Sequence, residues 1–444
     1  MKKLLFIISV LSIIGCNSNA KTSNNALSTP PNKSITGTWE GTLTVQATSL
    51  RIVFHLSWKD ERGYSCKMDS PDQGVNGISC DTVMLHKDSV IINIKSINGG
   101  YKGMFVNDST INGNWEQGGM KFPLVLKKGS GIKESPKALT NVDSNCIETA
   151  IVLETKTGKI YGTLCTPKAF KKGPVALIIA GSGPTDRDGN NSMGLTTDAY
   201  KILAHKLAAN HIATVRYDKR GIAESHDAMK SESDLRFEDY VNDATDWLTM
   251  LKTDKRFTMF IVVGHSEGSL IGIIAAKNGG ADKYISIAGI GESADKTLKR
   301  QLASQPKSFQ DNAFPIIDSL VAGKTVKNIS KDCYTLFHPG IQPYLISWFK
   351  YNPSVEIGKL SIPVLILQGK NDIQVTVEDA EKLKAGNKKA KMLIMEDMNH
   401  VLRDVKGDRD ANLATYNNPS LPLDAELVAR ISAFITGPGA FVDK

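Results

Sequence analysis

Nowhere does the sequence carry a dense run of lysine and arginine or a basic stripe interleaved with aromatics. That absence argues against a nucleic-acid partner. The formal net charge is +8 over 444 residues, but it is spread along the chain and reads as a solvated surface. Membrane-spanning length is missing as well. The N-terminal apolar run, Leu4 to Ile14, has eleven residues, where a permanent spanning helix needs about 20. Cysteines are few, six in all, and none stands at a spacing from histidine that suggests a metal site.

What the N-terminus does have is a charged start, Met1-Lys2-Lys3, ahead of that short apolar core. The core runs into Leu11-Ser-Ile-Ile-Gly-Cys16, which resembles the lipobox of bacterial lipoproteins. The resemblance implies a signal peptide over residues 1–15, lipidation of Cys16, and an exported protein anchored to a membrane on the periplasmic side or at the cell surface. An ordinary secretory signal is the alternative. Residues 16–33, rich in Asn, Ser and Thr without apolar periodicity, read as a flexible tether. Export permits disulfides. Cys66 with Cys80 and Cys146 with Cys165 are the candidate pairs, leaving Cys333 odd.

Residues 34–128 alternate with period two. Leu43 and Val45 share a face, as do Ile52, Phe54 and Leu56, then Val90, Ile92 and Ile94, then Phe122, Leu124 and Leu126. Turn residues such as Asn98-Gly-Gly100 and Asn112-Gly113 separate the runs. About seven short strands are expected, forming a small antiparallel barrel or sandwich. Trp39, Trp58 and Trp115 read as core in preference to a ligand pocket. Residues 129–144 are the linker.

From residue 145 to 444 the period changes. Buried strands alternate with amphipathic helices, which demands a mostly parallel sheet with helices on both faces. At its centre, five apolar residues from Met259 to Val263 lead into Gly264-His265-Ser266-Glu267-Gly268, a G-x-S-x-G pattern, and then into a helix. A strand passing directly into a helix holds Ser266 in a strained turn with its hydroxyl raised above the sheet. Upstream, the strand Val175 to Ile179 ends in Ala180-Gly-Ser-Gly-Pro-Thr-Asp-Arg-Asp-Gly189. The Ser182 N–H there, with the Glu267 N–H, is the expected oxyanion hole. Asp186, Arg187 and Asp188 either brace this loop or touch substrate. Residues 290–360 form an unusually long crossover, expected to be a helical cap over the nucleophile.

A serine needs a base, and the base an acid that holds its tautomer. Chains with this turn supply them in the order Ser, Asp or Glu, His. Of eight histidines only His338 and His400 follow Ser266. His338 falls in the cap, whereas His400 follows the strand Met392 to Met395. Asp372, closing the run after Val364, is the expected acid. Asp397 and Asp379 are the weaker candidates.

These motifs together resemble the α/β-hydrolase superfamily, and in particular EstD-like bacterial carboxylesterases with their Gly-Ser-Gly-Pro-x-Asp-Arg-Asp loop, here Gly181 to Asp188. Ala180 departs from the pattern, since many relatives carry histidine there. The resemblance covers about two thirds of the chain. It implies a carboxylesterase acting on small-molecule esters through an acyl-enzyme, with Ser266, Asp372 and His400 as triad and no cofactor. The front β-domain resembles an accessory domain of some lipoproteins and implies no activity of its own. A prolyl-oligopeptidase-like peptidase, a thioesterase and a surface-tethered binding lipoprotein remain as alternatives.

Overall fold

The computed structural model describes residues 35–45, 48–59, 63–70, 75–94, 97, 99–117, 120–129, 146–191 and 195–437. The signal peptide, Cys16, the tether and nearly all of the linker lie outside the described residues. What is described falls into two compact units.

The N-terminal unit is one nine-stranded antiparallel sheet. Its strands are β1 (Gly37–Val45), β2 (Thr48–Lys59), β3 (Gly63–Ser70), β4 (Val75–Ser79), β5 (Thr82–His86), β6 (Ser89–Ile94), β7 (Gly99–Asn107), β8 (Thr110–Gln117) and β9 (Met120–Lys128). They lie in the order β4-β3-β2-β1-β9-β8-β7-β6-β5. The two edge strands, β4 and β5, are separated by only Cys80 and Asp81, so the sheet must roll back on itself. Alternation decides the inner face: Ile52, Phe54, Leu56, Val90, Ile92, Ile94, Leu124 and Leu126 are all buried. Trp39 and Trp115 join them, while Trp58 is half-buried against Tyr64. The count is nine strands instead of seven. β4 and β5 meet at Cys80-Asp81 without any Gly or Pro to mark a turn, and Asn112-Gly113, expected to separate two runs, lies inside β8, paired with Met104 and Gly103 of β7. Cys66 and Cys80 carry free thiols here, as does Cys333.

The C-terminal unit begins with the hairpin β10 (Cys146–Glu154) and β11 (Lys159–Pro167), closed by a Cys146–Cys165 disulfide. There follow β12 (Gly173–Ile179), α1 (Ala199–Ala209), β13 (Ala213–Tyr217), α2 (Phe237–Thr253), β14 (Phe257–His265), α3 (Glu267–Asn278) and β15 (Lys283–Ile287). Five helices intervene: α4 (Ala294–Leu302), α5 (Lys307–Val321), α6 (Lys331–Phe337), α7 (Gln342–Trp348) and α8 (Pro353–Ile357). The unit closes with β16 (Val364–Gly369), α9 (Val377–Gly386), β17 (Lys391–Met395), α10 (Arg409–Ala414) and α11 (Leu427–Thr436).

The sheet order is β10-β11-β13-β12-β14-β15-β16-β17, with every ladder from β13 to β17 parallel. Alternate residues of the central strands feed two separate cores. Val175, Leu177 and Ile179 pack with α2 and α3, and Ala176 and Ile178 pack with α1 and α11. The chain leaves β12 for β13 on one side and then crosses to β14 on the other. The carboxyl ends of β12 and β14 therefore flank a switch in winding direction, where an open α/β sheet forms its ligand crevice.

Candidate active site

Three loops meet at that crevice. The first is the β14–α3 turn. Ser266 has φ +56° and ψ −121°, in a left-handed region that a serine enters only when its surroundings force it. The strand and helix are too close for anything but glycine beside it. A β-carbon on Gly264 would fall 2.2 Å from the Gly268 carbonyl oxygen, and one on Gly268 would fall 2.4 Å from that of Ile179.

The second loop, Ala180 to Gly189, follows β12. Gly181 lies against the turn, with the Ser266 β-carbon 3.1 Å from where its own side chain would begin. The Gly181 N–H donates to the Tyr200 hydroxyl (3.2 Å), and the Lys219 Nζ donates to the Gly181 carbonyl (2.6 Å). The Asp186–Asp188 cluster braces this loop. Asp186 accepts from the N–H groups of Asp188 and Asn190 at 2.8 and 2.9 Å, and burial pushes its carboxyl up to about 6. Arg187 grips Asp218 through its backbone and guanidinium, and Asp188 accepts from Arg216 at 2.7 Å. None of the three lines the cleft that contains Ser266.

The third part comprises the ends of β16 and β17. His400 and Asp372 are both buried, with His400 Nδ1 2.7 Å from Asp372 Oδ2. A carboxylate only accepts, so His400 donates from Nδ1 and presents Nε2 as an acceptor. The other carboxylate oxygen accepts from the N–H groups of Gln374 (2.7 Å) and Val375 (2.9 Å), which fixes the carboxylate's orientation toward His400. The weaker acid candidates are placed elsewhere. Asp379 caps α9 and pairs with Arg300, and Asp397 faces Lys406 at the surface. His338 approaches Glu232 at 3.6 Å.

Ser266 and His400 line one open cleft, together with Gly181, Ser182, Leu195 and Tyr416. No residue of 290–360 lines it. Helix α7 instead walls a neighbouring cavity with Tyr344 and Trp348, and this cavity shares Ser182 with the cleft and reaches Glu267 and Glu232. The helices of residues 290–360, expected to cover Ser266, thus stand beside its cleft.

Sequence reasoning missed Tyr200, Lys219 and the buried role of His265. Lys219 stood in the turn directly after β13, a strand-end position next to the switch point, and that was the available signal.

Residues 192–329 match the Hydrolase_4 family, described as serine aminopeptidase, S33. This stretch includes Ser266 and excludes Asp372 and His400. Over 250 residues the chain is 27% identical to esterase EstD of Thermotoga maritima, which takes in 55% of this chain and 58% of that protein. The chain therefore spans little more than half the length of that relative. Among solved structures it is similar to Est1E from Butyrivibrio proteoclasticus with ferulic acid bound, at 17% identity and a TM-score of 0.43, over 64% of this chain and 99% of that one. It is also similar to an acylaminoacyl peptidase of Pyrococcus horikoshii, at 12% identity and a TM-score of 0.46, over 94% of this chain and 70% of that one.

Proposed function

We propose that the C-terminal unit is a serine hydrolase of the α/β-hydrolase kind. More particularly, it is a carboxylesterase acting on small-molecule esters with Ser266, His400 and Asp372 as its triad. The observation that carries the reading is the strained Ser266 on the wall of a cleft shared with His400, whose Nδ1 is already committed to Asp372. The 27% identity to an esterase supports the choice of ester chemistry.

In this mechanism His400 Nε2 takes the hydroxyl proton of Ser266 as Oγ attacks the ester carbonyl. Negative charge gathers on the carbonyl oxygen, facing the N–H groups of Ser182 and Glu267. Collapse expels the alcohol, protonated by His400, and leaves an acyl group on Ser266. Water then attacks the acyl carbon, its proton passing to His400, and the carboxylic acid departs as Ser266 regains its proton. Each oxyanion donor is worth on the order of 3 kcal/mol at the transition state. Purified protein is expected to hydrolyse p-nitrophenyl esters, and Ser266→Ala is expected to abolish turnover.

Peptidase activity is the second reading, favoured by the serine aminopeptidase description of the matched family. Assaying aminoacyl-p-nitroanilides beside the esters separates the two. The export reading is tested by detergent partitioning: full-length protein should enter the detergent phase, and Cys16→Ser should release it.

A further inference from the structure

Lys219 is a buried lysine that this mechanism does not use. It stands in the turn after β13 with its side chain 1% exposed. Its ammonium has two oxygen partners, the Gly181 carbonyl at 2.6 Å and Glu267 Oε2 at 3.0 Å, and it lies over the Tyr240 ring, 4.7 Å from the centroid. Glu267 is just as buried, with its side chain 3% exposed. Its second carboxylate oxygen accepts from the Tyr344 hydroxyl. A buried ion pair of this kind gives little net stability against an apolar replacement, so its geometry is the more informative property.

Both partners adjoin the oxyanion donors proposed above, the Ser182 and Glu267 N–H groups. The Gly181 carbonyl shares a planar trans peptide with the Ser182 N–H, and in such a plane the two groups point in opposite directions. Holding the carbonyl on Lys219 therefore aims the Ser182 N–H away from the lysine. Glu267 supplies the second N–H, and its side chain is held by the same ammonium. We propose that Lys219 is a positioning residue that clamps the two oxyanion donors into one preset geometry, resting on the serine-hydrolase reading above. The Tyr200 hydroxyl, accepting from the Gly181 N–H, fixes the other end of the same residue. Donors fixed in advance need no reorganisation when charge develops. The clamp also accounts for the loop being held although Ala180 replaces the histidine of the resembling pattern.

The test compares wild type, Lys219→Gln, and the double variant Lys219→Met/Glu267→Gln, in which no unpaired charge is left buried. Readouts are kcat and KM on p-nitrophenyl butyrate, affinity for a trifluoromethyl ketone that forms a hemiketal oxyanion on serine, and Tm. The double variant is expected to keep a Tm near that of wild type, yet lose about 10²-fold in kcat at little changed KM. Ketone affinity should fall in parallel. Lys219→Gln, which still has an amide donor for Gly181, should recover part of the loss. Wild-type kcat and ketone affinity in both variants would overturn the clamp while leaving the esterase reading intact, and so would a loss of kcat with ketone affinity unchanged. If the double variant does not fold, wild-type kcat and ketone affinity in Lys219→Gln alone overturns it. A wild-type protein that neither turns over esters nor binds the ketone overturns both.

Discussion

His265 Nε2 donates to the backbone carbonyl of His400 at 2.9 Å, joining the residue before Ser266 to the loop that follows β17. Its Nδ1 is 2.8 Å from the Tyr200 hydroxyl, which in turn accepts from the Gly181 N–H. A neutral ring with its proton on Nε2 satisfies every one of these bonds. Burial holds the imidazole to that form, lowering its pKa to about 3. Hydrogen bonds thus run unbroken from the Gly181 loop to the His400 loop.

Tyr200→Phe breaks this relay at its centre. It strands the Gly181 N–H and His265 Nδ1 in a buried place, and each stranded group costs about 1–3 kcal/mol. A stability loss of about 2 kcal/mol or more is expected, with Tm lower by roughly 4 °C or more. Calorimetry measures it, and an unchanged Tm would mean that the relay contributes nothing.

Asp372→Asn preserves shape but replaces an acceptor of the His400 Nδ1 proton by an amide that can donate. The expected result is a fall in kcat on the order of 10³–10⁴-fold, with KM little changed. Retention of more than a tenth of wild-type kcat would move the acid's role to another residue.

Glu232 makes stability depend on pH. Its side chain is 13% exposed in the cavity beside Ser182, and burial raises its carboxyl from 4.5 to about 7. A raised acid favours folding while protonated. Its contribution is therefore complete below about pH 4.5 and disappears as pH rises through about 7, a change on the order of 3 kcal/mol. Glu232→Gln stays neutral throughout. Its Tm relative to wild type should rise between pH 4.5 and 8, and a constant difference across that range would contradict the assignment.

The Cys146–Cys165 disulfide closes a loop with a sequence separation of 19. Constraint of the unfolded chain by such a loop is worth about 3 kcal/mol. Cys146→Ala/Cys165→Ala should lower the guanidinium midpoint accordingly, and reductant should reproduce the shift in wild type. No response to reductant would show that the hairpin holds without its crosslink.

How far the sequence could be read depended on whether a signal was local. The change from period two to alternating strands and helices is a local pattern, and it located both units. Ser266 announced itself because glycines at 264 and 268 are needed within five consecutive residues. His400 and Asp372 were reached through chain order and strand ends. Lys219 and Tyr200 left no comparable mark, because their partners are 38 and 19 residues away along the chain. The cap was read from the length of its crossover, and length carries no direction. Only the packing of α7 beside α2, with Trp348 stacked on Phe237 at 6.3 Å, shows that these helices wall the adjacent cavity. The strand count fell short of nine in a unit where the Cys80-Asp81 corner carries no turn residue and Asn112-Gly113, a turn by composition, is paired inside β8.

Reaction with a fluorophosphonate, followed by peptide mass mapping, tests the central claim most directly. One adduct per chain is expected, located on Ser266, absent in Ser266→Ala and formed far more slowly in His400→Ala. An ester-hydrolysing preparation whose adduct sits on any other residue, or whose Ser266→Ala variant labels and turns over like wild type, would contradict it.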